Sequence, residues 1–130
     1  MVILDTNIII DHLRYSKTGE SMLLRLVKKI PKEELAISVL TVQELYEGIS
    51  TRDKQKEEHL LITISPLKVL SYSYEVAQLA GEIARDLKRS IEFVDAAIAA
   101  TTIINGGELL TLNRKDFVSI DNFRLYELKL

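Results

Sequence analysis

Several carboxylate residues of this sequence lie within apolar segments or directly after them. Asp5 directly follows an N-terminal apolar run, and Glu44 lies shortly beyond the apolar stretch LAISV. Asp95 stands between Phe-Val and Ala-Ala-Ile, and a polar stretch from Asn113 to Asp116 follows the apolar segment ELLTL. Oxygen ligands of this kind, without His or Cys, suit a hard divalent cation such as Mg²⁺ or Mn²⁺.

The chemistry depends on whether Asp5, Glu44 and Asp95 meet in space. Two unit charges about 5 Å apart, at an effective dielectric constant of about 20, repel each other by roughly 3 kcal/mol. Three such pairs would rival a typical margin of folding stability, so the group has to take up a proton or hold a cation. A cation held there lowers the pKa of a bound water and neutralises charge on a phosphoryl oxygen, so a phosphodiester could be hydrolysed without a side-chain nucleophile.

No competing nucleophile motif is present. The sequence has no Cys, no G-x-S-x-G nucleophile elbow and no G-x-x-x-x-G-K phosphate loop. His12 and His59 have no partner at the spacing of metal ligands, so neither is predicted to bind a metal. Hydrolysis by a cation-activated water is therefore the chemistry that these residue types favour.

Short apolar strands alternate with helical segments along the chain. Strands are predicted at Val2–Leu4, Leu35–Val39, LKVL (67–70) and ELLTLN (108–113), with FRLYELKL (123–130) as a possible edge strand. Helices are predicted over 7–13, 21–30, 41–49, 73–89 and 94–104. The polar stretch 50–59 fits an exposed helix or a mobile loop, and LLITI (60–64) fits a continuation of a helix or a strand. The alternation indicates an α/β fold with a mainly parallel sheet, formed as a single domain over 1–130.

The predicted sheet positions most of the polar residues at one edge, because ligands of open α/β sheets bind beyond the carboxyl ends of the strands. Asp5 ends the first strand, and Asn113 ends the fourth with Asp116 just beyond it. Glu44 lies one turn into the helix that follows the second strand. Asp95 begins a helix instead, so it reaches this edge only if the N-terminus of that helix points there, an end at which the helix dipole favours a carboxylate.

Helix capping is the structural alternative for each acid, and it stays open on the residues alone. Asp5 could cap the helix that follows it, and Asp95 could cap its own. Thr41-x-x-Glu44 fits a capping box, in which Glu44 would turn back to the Thr41 backbone N–H and bind nothing else. Asn113 to Asp116 could be an ordinary polar turn after a strand.

The composition is that of one globular domain without excess positive charge. The chain has 130 residues, with 17 Lys and Arg against 19 Asp and Glu, and a net charge of −2. A passive polyanion binder is therefore disfavoured, whereas an enzyme whose positive charge comes from a metal is not. No apolar run approaches the roughly 18 residues of a spanning helix. No signal peptide is recognisable either, so we expect a cytoplasmic protein without membrane contact.

Three stretches together resemble the motifs of the PIN domain family. ILDTNIIID resembles its opening motif, ISVLTVQELYEG its second, and IEFVDAAIAATTIINGGELLTLNRKDF its third and fourth. The resemblance implies a three-layer α/β/α sandwich around a five-stranded, mainly parallel sheet, and a Mg²⁺- or Mn²⁺-dependent endoribonuclease. By motif position, Asp5, Glu44 and Asp95 match the family's three acidic metal ligands. Thr6 and Asn7 match its supporting polar residues.

The fourth acidic position of the family is occupied differently in this chain. Many members carry an acid where this sequence has Asn113, and the nearest acid is Asp116. We therefore expect one tightly held ion, with Asn113 or else Asp116 completing the site, and a second ion only when substrate phosphate joins. Arg114 and Lys115 are possible phosphate contacts because they neighbour this position.

The length is similar to that of VapC-type toxins of bacterial and archaeal toxin–antitoxin pairs. That resemblance implies an RNA substrate, a cognate antitoxin as partner, and a homodimer. Two alternatives stay open: a related nuclease of RNA processing or structured DNA, and a PIN-like binding module that does not turn over.

Overall fold

Four short strands form one sheet at the centre of the molecule, in which every neighbouring pair runs parallel. The computed structural model describes residues 1–129, apart from the side chain of Ser16. The strands are β1 (Val2–Leu4), β2 (Leu35–Ser38), β3 (Lys68–Leu70) and β4 (Glu108–Leu110), in the order β3-β2-β1-β4. β1 pairs with β2 on one side and with β4 on the other, so Asp5 follows a central strand.

Helices cover both faces of the sheet and give the predicted three-layer α/β/α architecture. They are α1 (Thr6–Tyr15), α2 (Met22–Val27), α3 (Val39–Glu47), α4 (Lys54–Ile64), α5 (Tyr74–Asp86) and α6 (Phe93–Ile104). Val2 and Leu4 of β1 pack into a core cluster with residues of α1 to α4, whereas Ile3 packs into the cluster with α6. The strand is therefore buried on both faces, as a continuous apolar run in a parallel sheet requires.

The prediction of a fifth strand near the C-terminus is not met within residues 1–129. That segment forms a single parallel bridge between Leu109 and Leu125. Backbone hydrogen bonds join Leu109 to Arg124 and Tyr126, and Tyr126 and Leu128 pack against the core cluster of α1 and α2. Arg114 also contacts this segment, donating to Glu127 Oε1 at 2.6 Å.

Two glycines bring α6 round to β4. Gly106 has φ +65, a left-handed conformation that ends the helix at little cost for a residue without Cβ. A Cβ on Gly107 would lie 2.5 Å from Ile3 Cδ1 and 3.0 Å from the Met1 carbonyl oxygen. This close approach sets β4 beside β1, which is what brings the residues after both strands together.

None of the helices within residues 1–129 is both long and apolar enough to cross a membrane.

Candidate active site

Asp5 lies at the point where β1 ends and α1 begins, and its carboxylate is 6% exposed. Its Oδ1 accepts a hydrogen bond from the Thr6 backbone N–H at 2.8 Å. Its Oδ2 accepts from Thr111 Oγ1 at 2.7 Å and from Asn7 Nδ2 at 3.3 Å. Oδ1 thus binds a backbone N–H at the start of α1, whereas Oδ2 binds the residue that follows β4. Asp5 can therefore contact the start of the helix and still belong to a binding site.

The charge state of Asp5 reflects two opposing effects. Burial raises the pKa of its carboxyl above the usual range, and the nearby charge of Asp116 acts in the same direction. Hydrogen bonds from Thr111, Thr6 and Asn7 favour the ionised form and offset part of that rise. A cation beside Asp5 would remove the remaining penalty on its charge.

Thr111 is a site residue that the sequence interpretation missed. Besides donating to Asp5, its Oγ1 accepts the Asn113 backbone N–H at 3.0 Å and lies 3.3 Å from Asn7 Nδ2. Asn7 Oδ1 in turn accepts the Leu112 backbone N–H at 3.2 Å. Strand four was predicted to run to Asn113; because it ends at Leu110, Thr111 is the first residue beyond the sheet. With the correct strand end, the rule that ligands bind at the carboxyl edge would have found it.

Glu44 belongs to the second half of α3, and its side chain reaches the start of α1. The helix begins at Val39, with the Ser38 side chain accepting the Leu40 backbone N–H at 3.1 Å, so Thr41 lies inside the helix. The capping-box alternative for Thr41 and Glu44 is therefore wrong. Glu44 Oε1 instead accepts the hydroxyl of Thr6, whose Oγ1 also lies 3.0 Å from Thr41 Oγ1.

Asp95 is the third residue of α6, and the N-terminus of this helix lies at the same edge of the sheet. A helix that leads by a tight turn into a parallel strand must run opposite to that strand, so it begins near the strand's carboxyl end. Among residues 1–129 no group donates a hydrogen bond to the Asp95 carboxylate, and it does not cap α6. Burial raises its pKa to about 6, with further contributions from the charges of Asp5, Asp116, Glu44 and Glu92, in that order.

The fourth acid near this group is Asp116. The Asn113 side chain is exposed at the start of the 3₁₀ turn Arg114–Phe117 and makes no capping hydrogen bond there. Asp116 is half-buried, and its charge acts on both Asp5 and Asp95. Of the two residues considered for this position, the geometry favours Asp116.

The basic residues near the site have structural contacts that sequence reasoning did not anticipate. Arg114 donates to Glu127 and to the Tyr126 carbonyl oxygen, at 3.4 Å, and so contacts the C-terminal segment. Lys115 is exposed. Arg89 donates through Nη2 to the carbonyl oxygens of Asp116, at 3.0 Å, and Val118, at 2.8 Å, and so fixes the loop that carries the fourth acid.

An open groove runs alongside the acids. Its volume is about 390 Å³, and its lining comprises Arg89, Ser90, Ile91, Glu92, Phe93, Asp95 and Asp116. The groove gives an extended ligand access to Asp95 and Asp116 from solvent.

A comparison with family models matches residues 2–122 to the PIN domain. The chain belongs to the PIN domain family. This PIN domain is similar to Ribonuclease VapC19 of Mycobacterium tuberculosis, with 32% identity over 120 residues that cover 90% of this chain and 92% of the relative. It is 35% identical over 112 residues to Ribonuclease VapC1 of Methanocaldococcus jannaschii, covering 81% of this chain and 80% of the relative.

A solved structure agrees with this assignment. The crystal structure of VapBC2 from Rickettsia felis, bound to a DNA fragment from their promoter, contains a chain that matches this PIN domain with a TM-score of 0.81 and 27% identity. The match covers 99% of this chain and all of that one.

The carboxylates of this PIN domain are chemically suited to a hard divalent cation, although they do not form a complete set of ligands before the cation binds. Among residues 1–129, no three His, Asp or Glu side chains already stand as ligands around one point. Glu44 accepts the Thr6 hydroxyl, so one of its oxygens is engaged within the protein. Mg²⁺ keeps several waters and needs only one or two direct carboxylates, so such an open group of oxygen donors suits it.

The two histidines lie away from the acids but close to each other. His12 on α1 and His59 on α4 have ring centroids 6.0 Å apart, and His12 Nδ1 lies 2.9 Å from Ser21 Oγ. Burial, together with the neighbouring His59, lowers the pKa of His12. The pair joins α1, α2 and α4 and takes no part in the candidate active site.

Proposed function

We propose that this PIN domain is a Mg²⁺- or Mn²⁺-dependent endoribonuclease that acts as the toxin of a VapBC-type pair. The observation that carries the proposal is the placement of acids from distant parts of the chain at one edge of the sheet, where burial, followed by the charges of Asp5, Asp116 and Glu44, raises the pKa of Asp95 to about 6. Relatives that bear the name Ribonuclease VapC support RNA as the substrate.

The proposal assigns the divalent ion to Asp5, Glu44 and Asp95, with Asp116 completing the site. The Asp5 carboxylate has a fixed orientation, because both its oxygens accept hydrogen bonds, from Thr111, Thr6 and Asn7. When bound, the ion supplies charge neutralisation at a phosphoryl oxygen and a lower pKa for an attacking water. All the oxygens assigned to it come from carboxylates, which are preferred by Mg²⁺ and Mn²⁺.

The chain's own groups then supply proton transfer and positioning. Asp95 accepts no hydrogen bond from residues 1–129, so one of its carboxylate oxygens could face the ion while the other accepts the proton of the attacking water. Arg89 keeps the Asp116 loop in place, and the Asn7–Thr111 bridge holds the ends of β1 and β4 at a constant separation.

An antitoxin protein is the proposed partner, and a homodimer is the proposed assembly, both in the cytoplasm. Support for the antitoxin comes from a structural match over 98% of this chain to a chain of a toxin–antitoxin complex from Klebsiella pneumoniae, with 26% identity and a TM-score of 0.75. Exposed apolar side chains on α1 and α4 offer surface for such contacts: Ile10, Tyr15, Leu61 and Ile62.

Cleavage of paired substrates tests the proposed function. The purified chain is incubated with a labelled RNA and with the DNA of the same sequence, in Mg²⁺, in Mn²⁺ and in EDTA. We expect the RNA to be cut in either metal and left intact in EDTA, and the DNA to be left intact throughout. Cleavage of RNA in EDTA at the same rate as in Mg²⁺ would contradict the dependence on a metal. Preferential cleavage of a flap-type DNA would instead favour a DNA-processing nuclease.

Replacement of Thr111 by Val tests whether the hydroxyl that orients Asp5 supports the metal. Removing the group behind a metal ligand typically costs about 10- to 100-fold in affinity or activity. We expect Thr111→Val to raise the Mg²⁺ concentration for half-maximal cleavage by about that factor. Thr102→Val is the matched control, because that buried hydroxyl donates only to the Ile98 carbonyl oxygen of its own helix. Equal behaviour of the two variants would contradict the assignment.

A further inference from the structure

Phe93 places a large aromatic ring at the rim of the candidate active site. It is the first residue of α6, two positions before Asp95, and its side chain is 68% exposed. A single exposed apolar side chain is common on protein surfaces and by itself indicates nothing. Its position matters here, because the ring lines the groove that also contains Asp95 and Asp116.

The ring is supported on one side and open on the other. Tyr72 meets it edge-on, with centroids 6.2 Å apart and an angle of 64° between the ring planes. Such a T-shaped contact is a favourable aromatic arrangement and holds the ring direction without covering it. A flat surface of fixed orientation therefore stands beside the acids.

The groove combines the features that recognise a nucleotide. At one end the acids would hold a cation against a phosphate, and Arg89 on the wall adds a positive charge. The Phe93 ring lines the same groove, and a base can stack on it. A base inside a duplex has both faces covered by its neighbours, whereas an unpaired base is free to leave them and stack on an aromatic side chain.

We infer that Phe93 is a stacking platform for an unpaired base next to the phosphate that is cut. The inference rests on the proposed ribonuclease function and adds to it the side chain that would contact a base of the substrate. Phe93 is a binding residue in this scheme, and the proton transfers stay with Asp95.

Three substitutions of Phe93 distinguish a requirement for an aromatic ring from a requirement for any large apolar side chain. Stacking on one aromatic side chain is worth roughly 1–3 kcal/mol per base, or about 5- to 100-fold in affinity. We expect Phe93→Ala to raise KM for an unpaired RNA by about that factor, with kcat changed less than about threefold, and Phe93→Leu to behave similarly. Phe93→Trp keeps a ring and should stay near the parent. Tyr74→Ala is the matched control, because Tyr74 is 85% exposed but does not line the groove.

A second readout does not depend on turnover. The anisotropy of a fluorescent single-stranded RNA is measured on the inactive Asp95→Asn chain, with and without Phe93→Ala, and again after the RNA is annealed to its complement. We expect the Phe93→Ala change to weaken binding of the single strand and to leave the weaker duplex binding unaltered.

The outcomes distinguish this inference from the proposed function. If the parent cleaves RNA in Mg²⁺ but Phe93→Ala has the parental KM and affinity, the platform is wrong and the ribonuclease stands. If Phe93→Ala dissociates a dimer and regains the parental KM at high protein concentration, Phe93 is a subunit contact and the inference fails. A parent chain that neither cleaves nor binds RNA would contradict both the role of Phe93 and the proposed ribonuclease function.

Discussion

Replacement of Asp95 by Asn is expected to abolish RNA cleavage while leaving a chain at least as stable as the parent. The substitution keeps the size of the side chain but removes the charge that would bind the ion and the oxygen that would accept a proton. Because loss of a group behind a ligand already costs about 10- to 100-fold, loss of the ligand itself should exceed about 100-fold. Initial rates on a labelled RNA in Mg²⁺ measure this, with the exposed Asp121→Asn as control.

The effect of Asp95 on stability has a definite sign and pH range. Its pKa is about 6 in the folded chain against an ordinary 3.8, so the folded state binds more protons than the unfolded state between these values. Without metal, the free energy of unfolding of the parent should therefore fall as pH rises from about 4 to about 6 and level off above. The full difference corresponds to at most about 3 kcal/mol. Solvent screening of the half-exposed carboxylate reduces it to about 1 kcal/mol.

Urea denaturation in EDTA at a series of pH values measures that slope. We expect Asp95→Asn to lack this contribution and to be more stable than the parent by about 1 kcal/mol at neutral pH. A variant that cuts RNA at the parental rate, or one that is strongly destabilised at neutral pH, would show that Asp95 has a structural role.

Replacement of Glu44 by Gln is expected to lower cleavage by more than about tenfold with little change in stability, because the Gln side-chain oxygen can still accept the Thr6 hydroxyl. Glu47→Gln, on the same helix, is the matched control. Glu47 is exposed and accepts a hydrogen bond only from Gln43, at 3.0 Å, among residues 1–129. Cleavage by Glu47→Gln should equal that of the parent.

The comparison of these two variants in the same cleavage assay separates a ligand from a structural acid. A parental rate for both would remove Glu44 from the metal site. A large drop in the melting temperature of Glu44→Gln would instead indicate that the contact with Thr6 serves the fold.

Features that depend on neighbours along the chain were predictable from the sequence. The apolar triplet Val2–Leu4 is buried on both faces and forms β1 as expected, and Ser73 caps α5 by accepting the Val76 backbone N–H at 3.2 Å. The position of Asp95 also follows from local order, because a helix that turns directly into a parallel strand must begin at that strand's carboxyl edge. The family motifs pointed to Asp5, Glu44 and Asp95, whose shared role as metal ligands stays a prediction.

Features that depend on distant contacts were not predictable. Thr111 acts on Asp5 across 106 positions of the chain, and nothing in its local sequence distinguishes it from a strand residue. Glu44 satisfied the pattern of a capping box, but Ser38 already caps the helix and leaves Glu44 free to meet Thr6. Arg114 neighbours the site in sequence, yet Glu127 draws it away to the C-terminal segment.

Titration of the metal-free chain with Mn²⁺ by calorimetry measures directly whether acids from distant parts of the sequence share one cation. We predict that the parent and Glu47→Gln bind Mn²⁺ with the same affinity, and that Asp5→Asn and Asp95→Asn each bind it at least about tenfold more weakly. Identical titration curves for all four proteins would contradict a cation site built from Asp5 and Asp95.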